Sequence, residues 1–197
     1  MKKVLAVLII IILAGNVRAQ VLATANSPEY NNILKMSASL FVRSTFQMGF
    51  EHFFNQNTSL NISAGMNFQD SDYDKNFGVR TEAQMRFHVF TVIKPTESNR
   101  LYFAPYLMNH YLVIERNNYY SSSSDNWYKD TFNAFSGGML FGWSYTFANR
   151  VNLDIYSGGG LRKTFGYDEE NNYSDGIFEY GYSGIMPRFG IDLGFWF

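Results

Sequence analysis

Eight charged residues stand at alternate positions of segments otherwise rich in apolar side chains: Lys35, Glu51, Arg80, Glu82, Arg86, Asp154, Arg188 and Asp192. Four are cations and four are anions, so the set is even in sign. Charges taken out of water persist only when they are paired and hydrogen-bonded. The chemistry on offer is therefore an ionic network in an enclosed interior. Such a network could gate a narrow proton or ion path, or it could be a packed polar core that holds neighbouring strands in register. The packed core is the plainer reading.

Nucleophilic and metal chemistry find less support. The histidines His52, His88 and His110 belong to no His-x-Ser arrangement, and His88 reads as an inward position away from the serine clusters. A nucleophile needs a base within hydrogen-bond reach, and no spacing here points to one. Asp70, Asp72 and Asp74 alternate as in a calcium loop. However, Lys75 occupies the position that needs glycine, and Thr81 the one that needs a bidentate carboxylate. Gly158-Gly159-Gly160 falls inside a strand pattern, where close packing or a bend explains it. We expect no catalytic residue, no metal ligand and no cofactor.

The elements that must position the charges have a period of two. In Ile185–Phe197, one face takes Ile185, Pro187, Phe189, Ile191, Leu193, Phe195 and Phe197; the other takes Met186, Arg188, Gly190, Asp192, Gly194 and Trp196. A wholly apolar row opposite a polar one, closing on an aromatic, is the pattern of an outer-membrane barrel strand. A one-residue slip would turn Arg188 and Asp192 into lipid, and an arginine near the midplane of the lipid face costs roughly 2–4 kcal/mol.

Seven earlier segments repeat the alternation. The expected strands are 33–42, 45–54, 59–68, 79–90, 101–114, 132–147 and 151–164, which with 185–197 makes eight. The third is the clearest, with Leu60, Ile62, Ala64, Met66 and Phe68 against Asn61, Ser63, Gly65 and Asn67. The fifth is ambiguous in orientation, and Pro105 within it cannot donate a ladder hydrogen bond. An even count places both termini on the periplasmic side, with 55–58 and 148–150 as short periplasmic turns. Segments 69–78, 115–131 and 163–183 then form long outer loops. Two connections fit poorly: Arg43-Ser44 is very tight for an outer loop, and 91–100 is long for a periplasmic turn. A closed sheet leaves no unsatisfied edge in hydrocarbon, and eight strands leave room only for side chains or one small ligand.

Composition agrees. Aromatic residues make up 18% of the chain although its mean hydropathy is only -0.19. Alternation averages hydropathy while aromatics crowd the membrane interfaces. A net charge of -1 gives no basic surface for nucleic acid. Lys2 and Lys3, the apolar run Val4–Leu13 and Val17-Arg18-Ala19 read as a signal peptide over residues 1–19. Residues 20–197 are then one barrel domain. The absence of cysteine removes both disulfides and lipid attachment at cysteine.

Leu34-Lys35 and Gly49-Phe50-Glu51 within Asn32–Phe68, the run Asp154–Gly160 and the closing Pro187–Gly194 resemble the uncharacterised small outer-membrane barrels of Gram-negative bacteria, with an OmpA/OmpX-like architecture. Such barrels often carry a polar inward residue where this chain has Trp196. The resemblance implies fold and location and no reaction. The expectation is an all-β, eight-stranded antiparallel up-and-down transmembrane β-barrel in the bacterial outer membrane, monomeric and not an enzyme. Its role would be structural or in surface interaction. Expected partners are outer-membrane lipids and lipopolysaccharide, the barrel-assembly machinery reading Phe195 and Phe197, and a surface ligand at the outer loops. Asp168, Glu169, Glu170 and Asp175 could bridge divalent cations to lipopolysaccharide phosphates, and Tyr119, Tyr120, Trp127 and Tyr128 around Ser121–Ser124 could form an adhesive surface. A lipocalin-like ligand-binding barrel and a lipid-modifying outer-membrane enzyme are the alternatives.

Overall fold

The structure, a computed structural model, describes residues 21–23, 31–41, 44–70, 74–94, 96–117, 127–148, 150–166 and 182–197. Its strands are β1 (Val21–Ala23), β2 (Asn32–Ser37), β3 (Thr45–Asn55), β4 (Thr58–Asp70), β5 (Asp74–Ile93), β6 (Glu97–Asn117), β7 (Trp127–Phe147), β8 (Val151–Phe165) and β9 (Gly184–Trp196), with one helical turn, α1 (Ala38–Phe41). From β2 to β9 each strand pairs antiparallel with the next, and β2 pairs with β9, so eight strands close into an up-and-down barrel. The closing ladder runs from Ile33↔Trp196 to Ser37↔Asp192. The short β1 lies parallel to Thr91–Ile93 of β5, an edge that β4 leaves open because its own pairing with β5 stops at Thr58↔Phe87.

Closure requires small residues where large inward side chains cross. A side chain at Gly142 would meet the Tyr102 ring at 2.2 Å, and one at Gly190 would meet the Tyr156 ring at 2.2 Å. Each tyrosine is the cross-strand partner of the glycine it covers. The inward glycines thus supply the lumen volume that the two rings fill.

Alternation holds around the barrel. Phe46, Met48, Phe50, Ile62, Met66, Phe141, Phe189 and Leu193 point outward and exposed, while Gln47, Glu51, Asn61, Ser63, Arg188 and Asp192 are buried inside. The ambiguous strand β6 resolves with Tyr102, Ala104, Tyr106, Met108, Leu112 and Ile114 inward and Leu101, Leu107 and Tyr111 outward. The β5–β6 ladder lacks its rungs between Gln84↔Tyr106 and Phe87↔Phe103, opposite Pro105, which has no N–H to give.

Several expected boundaries need correction. The first strand ends at Ser37 rather than continuing to residue 42; α1 follows it, so the connection to β3 is longer than a tight Arg43-Ser44 loop. Segment 91–100 is not a long turn, because β5 runs to Ile93, β6 starts at Glu97, and the Lys94 N–H donates to the Glu97 carbonyl at 2.8 Å. The connection at 69–78 shortens likewise, with Gln69↔Asn76 and Asp70↔Lys75 paired. A register shift between His88 and Phe90 puts both Val89 and Phe90 outside, so the inward set resumes at Thr91. The signal segment 1–19, residues 118–126 with Tyr119, Tyr120 and Ser121–Ser124, and residues 167–181 with Asp168, Glu169, Glu170 and Asp175 lie outside the described residues, as do Asp72 and the side chains of Asp70, Asp74, Trp127 and Tyr128.

The short turns at 55–58, 94–97 and 147–151 gather at one end of the barrel. There Lys94 and Glu97 form an exposed ion pair, and the Tyr145 hydroxyl donates to Glu97 Oε2 at 2.7 Å. The bonds from Lys94 and Tyr145 hold the Glu97 carboxyl below its usual range.

Candidate functional site: the charged barrel interior

Seven of the eight charged positions join ionic contacts inside the barrel, in two groups. In the half towards the short turns, Lys35 Nζ lies 2.5 Å from Glu51 Oε2 and 2.5 Å from Asp154 Oδ2. Arg86 Nη1 reaches the same Glu51 oxygen at 3.1 Å and also bonds Asp154. Each cation therefore holds both carboxylates, and each carboxylate holds both cations. The remaining lone pairs are used as well: Tyr102 donates to Asp154 Oδ1 at 2.7 Å, and Ser59 Oγ to Glu51 Oε1 at 2.5 Å. The Arg86 guanidinium also sits 4.6 Å from the centre of the Tyr102 ring.

In the other half one carboxylate does this work alone. Glu82 takes a two-pronged bond from Arg188, at 3.0 and 2.9 Å, and a third from Arg80 at 3.1 Å. The paired fork matches guanidinium geometry to carboxylate geometry. Tyr106 lies under Arg188, ring centre 4.4 Å from the guanidinium carbon. Gln84 links the halves: its amide nitrogen donates to Glu82 at 2.7 Å, and its oxygen accepts from Arg86 Nε at 2.9 Å and Nη2 at 2.7 Å.

Asp192 departs from the expected set. It is buried and inward but joins no ion pair among the described residues, standing beside Asp154 in the β8–β9 ladder. The even balance of charge also fails, because Arg100 and Arg162 are buried inward cations that the sequence reading left out. Arg100 belongs to β6 rather than to a turn over 91–100. Arg162 continues the inward series that starts at Asp154 and was legible from parity alone.

Apolar layers bracket the ions. Towards the short turns, Ile33, Phe53 and Trp196 pack together, with the Phe53 and Trp196 rings 4.9 Å apart. Arg100 stacks on both rings at 5.0 and 5.2 Å and donates to Ser98 Oγ at 3.0 Å. Trp196, placed inward by the alternation, is buried, and its indole N–H donates to Thr146 Oγ1 at 3.0 Å. At the opposite end Leu112, Ile114 and Phe132 form a second buried cluster.

His88 also differs from expectation, since it is not remote from serine. Its Nε2 lies 3.0 Å from Ser59 Oγ. The geometry is not that of an activated nucleophile, because the Ser59 hydroxyl proton is directed to Glu51 and Ser59 has no exposed surface. With that proton committed, Nε2 serves as donor to Oγ. His88 is held between Phe53 and Tyr102, at ring distances of 5.2 and 5.6 Å. His52 bonds Asn32 Oδ1 at 2.8 Å, and His110 faces inward on the rung with Arg80. Phe195 and Phe197 both point outward and exposed.

Residues 5–177 match the model of a family described as protein of unknown function, DUF3575. Among solved structures, the chain is similar to the N-terminal β-barrel domain of Pseudomonas aeruginosa OprF, at 16% identity and a TM-score of 0.42, covering 85% of this chain and 98% of that one. No curated protein matches the chain.

Proposed function

This chain belongs to the DUF3575 family, and we propose that it is an integral outer-membrane protein whose closed, ion-filled barrel has a structural or surface-interaction role. The observation that carries this reading is the direction of the faces. Exposed large apolar side chains, among them Phe50, Ile62, Leu107, Phe141, Leu161 and Phe189, ring the outside, and the ion pairs lie within. Soluble monomers rarely expose contiguous apolar patches beyond a few hundred Å², whereas a lipid-facing band is made of such residues. A ligand-carrying soluble barrel would have the faces reversed. In this orientation the short turns face the periplasm, and Phe195 and Phe197 are the outward aromatics offered to the assembly machinery.

The interior supports a packed core over a conduit. Lys35, Arg86, Glu51 and Asp154 fill each other's bonding capacity, and apolar clusters stand above and below the ions. Cell fractionation tests location: the protein is expected to need detergent for extraction and to migrate differently on gels before and after boiling. Recovery as a detergent-free soluble monomer would overturn the membrane reading. Planar-bilayer recordings test the interior, with wild type expected to hold no steady conductance. If Glu51→Gln opened a current while leaving thermal unfolding unchanged, the packed-core role would be wrong.

A further inference from the structure

The outward face of β4–β8 is unlike the rest of the belt. Along one rung run Ile62, Ala83, Leu107, Gly137 and Leu161, on five successive strands. Large and small residues alternate, and Leu107 leans over Gly137, its Cδ2 3.0 Å from where a Cβ there would stand. The slot left on its other side is floored by Ala83 and belongs to a concavity of about 580 Å³ on this face. One rung further from the short turns the outward residues become polar: Thr81, Asn109 and, beyond Phe135, Lys163. Asn109 donates to Asn133 Oδ1 at 2.5 Å. Lys163 is exposed and forms no ion pair among them.

Depth decides what meets this ammonium. Counted from Val151, Lys163 stands about 30 Å along the membrane normal, for a strand rising about 3.3 Å per residue at a tilt of about 40°. The apolar band is about 25 Å tall, so Lys163 reaches the headgroup level of the outer leaflet while the slot over Ala83 lies in hydrocarbon just below it. That leaflet is built of phosphorylated, multiply acylated glycolipid. We propose that this face docks one such lipid, with a phosphate held by Lys163 and an acyl chain laid in the slot over Ala83. The inference rests on the membrane reading above and adds a partner to it.

The test uses the purified full-length barrel in detergent, titrated with lipid A, with dephosphorylated lipid A and with phosphatidylglycerol, and read by native mass spectrometry. Wild type is expected to prefer lipid A to both others. Lys163→Ala should weaken lipid A binding about tenfold, the effect of losing one hydrogen bond to a charged group, and should leave the dephosphorylated lipid unaffected. Ala83→Leu, which fills a slot at an exposed position, should weaken both forms of lipid A alike. Equal affinity of wild type and Lys163→Ala for lipid A would overturn the proposal, as would unchanged binding by Ala83→Leu or a preference for phosphatidylglycerol. Variants that keep the heat-dependent gel shift are folded, so those outcomes would count against the lipid site alone. A wild-type protein soluble without detergent would instead remove the membrane reading.

Discussion

The two halves of the barrel interior solve the same problem differently. Near the short turns, two cations share two carboxylates in a closed four-membered arrangement, Lys35 and Arg86 with Glu51 and Asp154. In the other half, two guanidiniums converge on the single carboxylate of Glu82. The first arrangement is redundant and the second has a pivot. Loss of one partner of a buried pair leaves an uncompensated charge, and that penalty rather than the pair's net attraction dominates. Redundancy should therefore show as tolerance of a single neutralisation, and a pivot as intolerance.

The comparison breaks most severely in the double variant Glu51→Gln/Asp154→Asn, which leaves Lys35 and Arg86 with no bonded carboxylate; no heat-modifiable folded band is expected on gels after refolding into detergent. Glu82→Gln comes next. It strands Arg80 and Arg188 together, and thermal unfolding in detergent should show a loss of about 3–5 kcal/mol. Glu51→Gln alone should cost less, about 1–3 kcal/mol, because Asp154 still holds both cations. A loss as large as that of Glu82→Gln would show that the four-membered arrangement has no redundancy. The two single variants of the quartet should also fall well short of the double when summed, as expected for residues in one network.

The smallest effect belongs at the short turns. Glu97 has its carboxyl lowered by bonds from Lys94 and Tyr145, so its contribution is complete above the ordinary carboxylate range and is lost as pH falls through the lowered value. Glu97→Gln should flatten only that acid limb of an unfolding titration at low salt, and high salt should erase the difference because the pair is exposed.

Parity was legible in the sequence where the outward row is apolar and the inward row polar or small, as in β4 and β9. It failed where both faces are apolar, in β6, and where one extra residue shifts the count, at His88 and Phe90. It also failed at α1, because Ala38–Phe41 suits a strand as well as a helical turn. Arg100 lies where a turn is expected and β6 already runs, and Arg162 extends the alternation of β8 past Gly158-Gly159-Gly160.

By itself the sequence determined which residues are inside wherever one face of a strand is apolar and the other polar. Periodicity is a local property: an apolar row alternates with a polar one within a strand, and a one-residue slip would exchange the two. Only the tertiary structure decided which inside residues meet. Lys35 finds Asp154 because β2 closes on β9, and Arg188 crosses the lumen to Glu82, partners separated by 119 and 106 positions along the chain. Such pairings depend on the stagger of a closed ring and on the room left by Gly142 and Gly190. No window of neighbouring residues contains either quantity.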